Sequence, residues 1–306
     1  MFKSPIYFFQ RYKMGNIVTT YRISNDEKST NQACGLEKWC HNANVLKKMN
    51  IGFYVTVLTN NAPLVKNMCP HANVQSFNEE LTHAIKNFNV KGNVCKDTLY
   101  KIQILDPKFF KLPVFYLDVD VDISIGRHGS QQLPIFSNIS HLEYLYTRFK
   151  QSKCVIQATP DHSALINDGV MIVKPNSTYY NKALSIINQS DFNPKYGYES
   201  KGLPQTIIDK PLNIVKKARG YWANTWNVVC GASGQGLLAY LTMPSQTFCE
   251  PTDWLFRVRH FWANDKPWLS KSCRRYFEFP QKTERCKKYF TNTYSKNCLG
   301  REWPIL

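Results

Sequence analysis

Val114-Phe-Tyr-Leu-Asp-Val-Asp-Val-Asp-Ile123 is the stretch that decides the fold. Read with a period of two, Phe115, Leu117, Val119, Val121 and Ile123 share one face, and Tyr116, Asp118, Asp120 and Asp122 share the other. The apolar face asks for a core. The acidic face gathers three carboxylates that repel one another unless a positive charge sits among them. A hard divalent cation answers that need, because magnesium and manganese take carboxylate oxygens together with substrate phosphates. The bland alternative is a half-exposed strand with a solvated acidic edge, which the almost wholly apolar run around it disfavours.

Outward from this stretch, the first half alternates strand and helix. Residues 16–22 read as a first strand, and Leu36, Trp39, Ala43 and Leu46 recur at helical spacing. Residues 51–59 form an apolar second strand, 74–77 a short third, and 79–88 a helix. Leu99, Ile102 and Leu105 give another helical stripe that stops before Pro107. Alternation of this kind predicts a parallel sheet covered by helices, with ligands at the carboxyl ends of its strands. The second half predicts a helix opened by a capping box at Ser140 and Glu143, and a strand over 154–158. It continues with a tight turn at Asn167-Asp-Gly169, a strand over 170–173 and helices over 179–187 and 233–241. Residues 190–229 read as a long loop region, and 256–262 as a final strand.

The 306 residues are 43% hydrophobic and 20% charged, the balance of a soluble globular chain. No apolar run approaches the roughly 20 residues of a membrane span, and the apolar stretch Ile6 to Phe9 is too short for a secretory leader. Ten cysteines without a C-x-x-C pair lead us to expect free buried thiols in a reducing compartment, hence a cytoplasmic protein. The net charge of +17 calls for an anionic partner or surface. The excess is concentrated between Arg257 and Arg301, with 12 basic residues against 3 acidic ones. That segment is either a solvated face or a dock for an anionic surface, including peripheral contact with a membrane.

Further candidates for chemistry are scattered. His260 shares a strand face with Phe256, Val258 and Trp262, and a neutral imidazole suits manganese. Lys266 is a point charge within reach of a phosphate, and Lys101 is the one cation inside the 99–105 helix.

Taken in order, Val18-Thr-Thr20, Leu99-Tyr-Lys-Ile102, Phe115-Tyr-Leu-Asp-Val-Asp120, Asn167-Asp-Gly-Val170, Gly234-Gln-Gly-Leu-Leu238 and His260-Phe-Trp-Ala-Asn-Asp-Lys-Pro-Trp268 resemble the glycogenin-like glycosyltransferases, family eight. The resemblance runs from about Asn16 to Trp268, and the acidic strand and the His-Phe…Lys-Pro-Trp box are its specific parts. It implies an α/β GT-A fold: a Rossmann-like mixed sheet with helices on both faces. It also implies a single domain over 1–270, divided into a nucleotide-binding half (about 14–123) and an acceptor half (about 124–270), with 271–306 as a basic C-terminal extension.

The implied activity is metal-dependent, retaining transfer of a sugar from a nucleotide-sugar, commonly UDP-linked, to a glycan or protein acceptor. On that reading Asp118, Asp120 and His260 hold Mn2+ (or Mg2+), and Lys101 and Lys266 neutralise the donor phosphates. Thr19 and Thr20 line the nucleoside pocket, Asn167 and Asp168 face the donor sugar, and Gln235 sits near the reacting carbon. The family has Asp-Gln where this chain has Gly234-Gln235, and the alternative alignment on Pro204-Gln205 also lacks the aspartate. Ala263 replaces an expected glycine.

Two other classes compete. Haloacid-dehalogenase-type phosphatases also end a strand in Asp-x-Asp and bind magnesium, but they need a later pair of acids, and no two acids after Asp122 are adjacent. A nucleic-acid-binding protein would explain the net charge, without any recognised motif to support it.

Overall fold

The computed structural model describes residues 15–22, 36–37, 39–40, 43–44, 53–90, 95–122, 139–158, 166–202, 226, 230–249 and 259–260, with the backbone alone for 122, 139–143 and 259–260. Seven strands form one mixed sheet. They are β1 (Gly15–Tyr21), β2 (Phe53–Thr59), β3 (Asn73–Ser76), β4 (Val114–Leu117), β6 (Ile156–Ala158), β7 (Val170–Val173) and β10 (Phe248–Cys249). Their order is β10-β6-β7-β4-β1-β2-β3. Strand β1 runs parallel to β2 and β4, and β2 parallel to β3. Only β7 is reversed, antiparallel to both β4 and β6, while β10 is parallel to β6.

The chain thus builds outward from β1 to β3, then returns to the other side of β1 with β4. That reversal opens a crevice at the carboxyl ends of β1 and β4, where ligands of open α/β sheets bind. Two further strands, β5 (Val121–Asp122) and β11 (Arg259–His260), pair antiparallel next to it.

Helices cover both faces, as expected. The alternation along β1 and β4 sends Val18, Val114 and Tyr116 to one core and Ile17, Phe115 and Leu117 to the other. The first core is closed by α2 (Glu79–Asn87), a 3-10 helix over Lys96–Leu105, α4 (Ser177–Gln189) and α5 (Gly234–Thr242). The second is closed by α1 (Ala62–Met68), α3 (Ile139–Gln151) and the helical residues Leu36, Trp39 and Ala43. Local chemistry sets the helix starts. The side chains of Asn61, Asn78 and Asn176 each accept a backbone N–H two residues inside α1, α2 and α4. Helix α3 begins at Ile139, so Ser140 lies inside it and is not its cap.

Three expectations are corrected. The acidic strand does not run through Asp122: β4 stops at Leu117, the Asp118 N–H donates to the carbonyl of Gly169, and Val121 N–H returns to the carbonyl of Asp118. Asp118 and Asp120 therefore sit on a turn and do not alternate along a flat strand. All four residues of β4 are buried, Tyr116 included, because both faces of the sheet are covered.

Six of the ten cysteines, all those among the described residues, are not free thiols. Cys40–Cys69, Cys95–Cys230 and Cys154–Cys249 are disulfides. Their partners lie 29, 135 and 95 residues apart, respectively, a proximity that only the fold creates. Finally, the long loop region contains a hairpin, β8 (Phe192–Asn193) with β9 (Gly197–Tyr198). Gly197 is needed there: its φ is +75°, and a Cβ would run into the Trp226 indole at 2.0 Å.

Candidate active site

The crevice above β4 is built from four segments. Asp118 and Asp120 leave the end of β4 in a turn, with Asp120 almost wholly buried. Beside them, the turn Asn167–Gly169 leads into β7, whose Val170 pairs with Leu117. The Asn167 side chain stabilises that turn by accepting the N–H of Gly169 at 3.0 Å. The 3-10 helix contributes Lys101, and the first turn of α5 contributes Gln235.

Lys101 ties the segments together. It is 4% exposed, and its ammonium lies 3.0 Å from the Asp118 carboxylate, 2.9 Å from Asp168 Oδ1 and 3.3 Å from the Asp168 carbonyl. These acceptors use the three protons of a lysine ammonium, which makes its burial tolerable. Burial opposes the charge, but Asp118 and Asp168 outweigh it and hold the Lys101 pKa above that of an ordinary lysine. Sequence spacing left Lys101 facing a phosphate or water; the structure turns it inward to two carboxylates.

Asp168 is buried as well, and its pKa is raised. Desolvation drives the rise; Lys101 opposes it, the Asp118 charge adds to it, and hydrogen bonds from Lys101 and Gln235 pull the other way. Asp118 has a further partner. Tyr116 donates its hydroxyl to Asp118 Oδ1 at 2.6 Å, and Thr20 Oγ1 lies 2.7 Å from the same hydroxyl. Burial first, and then the Asp118 charge, keeps the Tyr116 phenol protonated well above the usual range. With its one proton given to Asp118, the phenol oxygen accepts from Thr20.

The glycine at 234 has a steric reason. A Cβ there would lie 2.5 Å from the carbonyl oxygen of Thr98 and 3.0 Å from Asp168 Oδ2. No aspartate fits at this position, and the carboxylate of Asp168 stands at its edge instead. Composition and spacing carry no signal for this exchange, because it links residues 66 positions apart.

Of the expected site residues, the structure brings Thr20, Lys101, Asp118, Asp120, Asn167, Asp168 and Gln235 to the carboxyl ends of β1 and β4. Thr19 is not with them: adjacent residues of a strand face opposite ways, and Thr19 is fully buried on the Ile17 side of β1. The backbone of His260 pairs with Val121, which puts His260 next to the turn bearing Asp120. Lys266, Gln205, Ala263, Cys34, Cys273, Cys286 and Cys298, and the extension 271–306 lie outside the described residues. Sequence reasoning missed Tyr116 as a ligand of Asp118, although its place two residues before Asp118 on the same strand parity is a usable signal.

Asp118 and Asp120 offer hard oxygens two positions apart, the ligand type of a divalent cation, while among the described residues no group of three His, Cys, Asp or Glu side chains stands together as a metal site. A separate cavity of about 330 Å³ opens beside the Cys40–Cys69 disulfide, lined by Glu37, Val55, Met68 and His71 among others. Among the described residues, none of the expected site residues lines it.

No family model matches the chain, and no curated protein matches it in sequence. Solved structures do resemble it. The glycosyltransferase GlyE of Streptococcus pneumoniae TIGR4 is 11% identical with a TM-score of 0.40, over 91% of this chain and 63% of that one. The chain therefore spans less than two thirds of the length of GlyE. An active-site mutant of LgtC is 12% identical (TM-score 0.38, 90% of this chain, 95% of that one). Mouse xyloside xylosyltransferase 1, in its apo form, is 10% identical (TM-score 0.37, 77% and 85%). At these identities nothing of their activity passes to this chain.

Proposed function

We propose that the chain is a metal-dependent, retaining glycosyltransferase of GT-A type that moves a sugar from a UDP-linked donor to a glycan or protein acceptor. The observation that carries the reading is the ion-paired array Asp118–Lys101–Asp168, with the start of α5 at Gly234 against Asp168, at the switch point of the sheet. It stands where the sequence resemblance puts the donor site.

In this reading Asp118 and Asp120, with His260, would hold Mn2+ or Mg2+, which when bound supplies positive charge to the leaving diphosphate. Lys101 holds the carboxylates of Asp118 and Asp168 at fixed positions, so that neither must be ordered during turnover. Asp168 takes the part of the aspartate that the family carries one residue before its glutamine, since Gly234 leaves the room that Asp168 Oδ2 fills. Asn167, Asp168 and Gln235 then face the donor sugar, and Gln235 offers an amide near the anomeric carbon. Thr20 fixes the nucleoside end through Tyr116.

Three disulfides suit an oxidising compartment, where thiols are not kept reduced. Among the described residues no helix is long and apolar enough to cross a membrane. The basic segment after Arg257 is the part suited to an anionic surface.

A panel of nucleotide-sugars with manganese tests the reading, with free nucleotide as the readout. One donor, a UDP-sugar, should be consumed, and Asp120→Ala should abolish turnover while leaving the melting temperature near wild type. Full-rate turnover by Asp120→Ala would remove the metal role. Hydrolysis of simple phosphate monoesters, with no donor consumed, would give the site to a phosphatase.

A further inference from the structure

We propose that Thr98 is a positioning residue for this site, acting with the Cys95–Cys230 disulfide as a clasp that fixes Gln235 against Asp168 and Lys101. The proposal rests on the glycosyl-transfer reading above.

Two helices enter the site from distant parts of the chain, and each starts from one half of the disulfide. The carbonyl of Cys95 accepts the N–H and the hydroxyl of Thr98, both at 2.9 Å, which closes the turn into the 3-10 helix. The carbonyl of Cys230 accepts the N–H and the hydroxyl of Ser233, at 3.1 and 2.9 Å, which closes the turn into α5. The disulfide joins these two turns across 135 residues of sequence.

Thr98 then crosses between them. The side chain of Ser233, at the N-cap position of α5, makes no capping hydrogen bond. Thr98 Oγ1 instead accepts the N–H of Gly234 at 2.9 Å, so the open end of α5 is capped from the other helix. The hydroxyl is fully used: its proton goes to Cys95 and a lone pair to Gly234. Gly234 permits the approach because it has no Cβ to meet the Thr98 carbonyl.

Both groups held by the clasp adjoin the site. A 3-10 helix repeats about every three residues, so Thr98 and Lys101 lie on one edge. Gln235 follows Gly234 directly. Asp168 lies between them, 2.9 Å from Lys101 on one side and with its Oδ2 against Gly234, the residue before Gln235, on the other. A slide of α5 along the 3-10 helix would therefore open the Gln235 side of this array, and displacement by about 1 Å is enough to cost up to a hundredfold in rate.

The test compares wild type with Thr98→Val, Thr98→Ser and the double variant Cys95→Ser/Cys230→Ser. Thr98→Val keeps the shape and removes the acceptor, so kcat should fall roughly tenfold with the donor KM little changed. Thr98→Ser retains the hydroxyl and should keep near wild-type kcat, which separates positioning from packing. The disulfide-free variant should lose turnover at least as far as Thr98→Val. In parallel, amide exchange by mass spectrometry over residues 231–237 should quicken about tenfold in Thr98→Val, matching one lost hydrogen bond. Unchanged exchange at Gly234, or wild-type kcat in Thr98→Val, overturns the clasp. Exchange needs no substrate, so it decides the clasp even if no donor is turned over and the transferase reading itself fails.

Discussion

Replacing Lys101 by methionine keeps the length and volume of the side chain and removes its charge. Two buried or part-buried carboxylates, Asp118 and Asp168, would then face each other without the ammonium that now lies 3.0 and 2.9 Å from them. Breaking a buried pair by deleting one partner costs about 3–5 kcal/mol, against about 0–1 kcal/mol for an exposed pair. The upper range applies here, because the lysine side chain is 5% exposed and the Asp168 side chain 4%.

The pH dependence fixes the sign. The folded pKa of Lys101 lies above 10.5, so its stabilisation is complete below that value and is lost as pH climbs through the folded pKa. Asp168 is shifted upward from 3.8, so the folded chain favours its protonated form, and stability falls as pH rises from 3.8 through the folded value. Without Lys101 that upward shift grows. Urea unfolding followed by tryptophan fluorescence should thus show the Lys101→Met deficit largest near neutral pH and smaller under mildly acid conditions, as Asp168 takes up a proton. The wild type alone should lose stability at strongly alkaline pH. A deficit below about 1 kcal/mol, the range of an exposed pair, or one indifferent to acidification, would refute the buried ion-pair account.

Tyr116→Phe removes the hydroxyl that orients Asp118 and should raise the manganese concentration needed for half-maximal activity about fivefold to tenfold, as expected for a hydrogen bond to a charged group; a metal titration checks it. Gly234→Ala sets a methyl against the Thr98 carbonyl and should destabilise by about 1–3 kcal/mol and lower turnover, read from thermal melts and initial rates. Glu199→Gln tests the far side of α5. There Tyr240 first, and then Lys201 and Lys182, hold the Glu199 pKa at about 2, down from 4.5. Its contribution is present above 4.5 and lost as pH falls toward about 2, so the variant should flatten that acid limb of the stability curve.

The order of the elements was legible in the chain because hydrophobic period is a local property. The strand over 53–59, the helices over 79–87 and 177–189, and the Asn167-Asp-Gly169 turn all appear where composition and spacing put them. The acids of the candidate site were legible for the same reason, as Asp118 and Asp120 stand out against an apolar run. The end of β4 at Leu117 was not. Period two alone continues the strand, whereas the chain turns after Asp118, where the Val121 N–H returns to the Asp118 carbonyl.

What the chain determined by itself, then, is which segments alternate and where its carboxylates cluster. Tertiary structure decided what those carboxylates touch. Lys101 looked like a cation for phosphate until burial between Asp118 and Asp168 gave it two anions of its own. The cysteines looked like thiols until folding brought Cys95 to Cys230. Gly234 looked like a missing aspartate until the Thr98 carbonyl and Asp168 filled the space around it. Each of these involves a partner more than fifty residues away, Asp168 for Lys101, Cys230 for Cys95 and Thr98 for Gly234, and such contacts are set by distances that no local pattern contains.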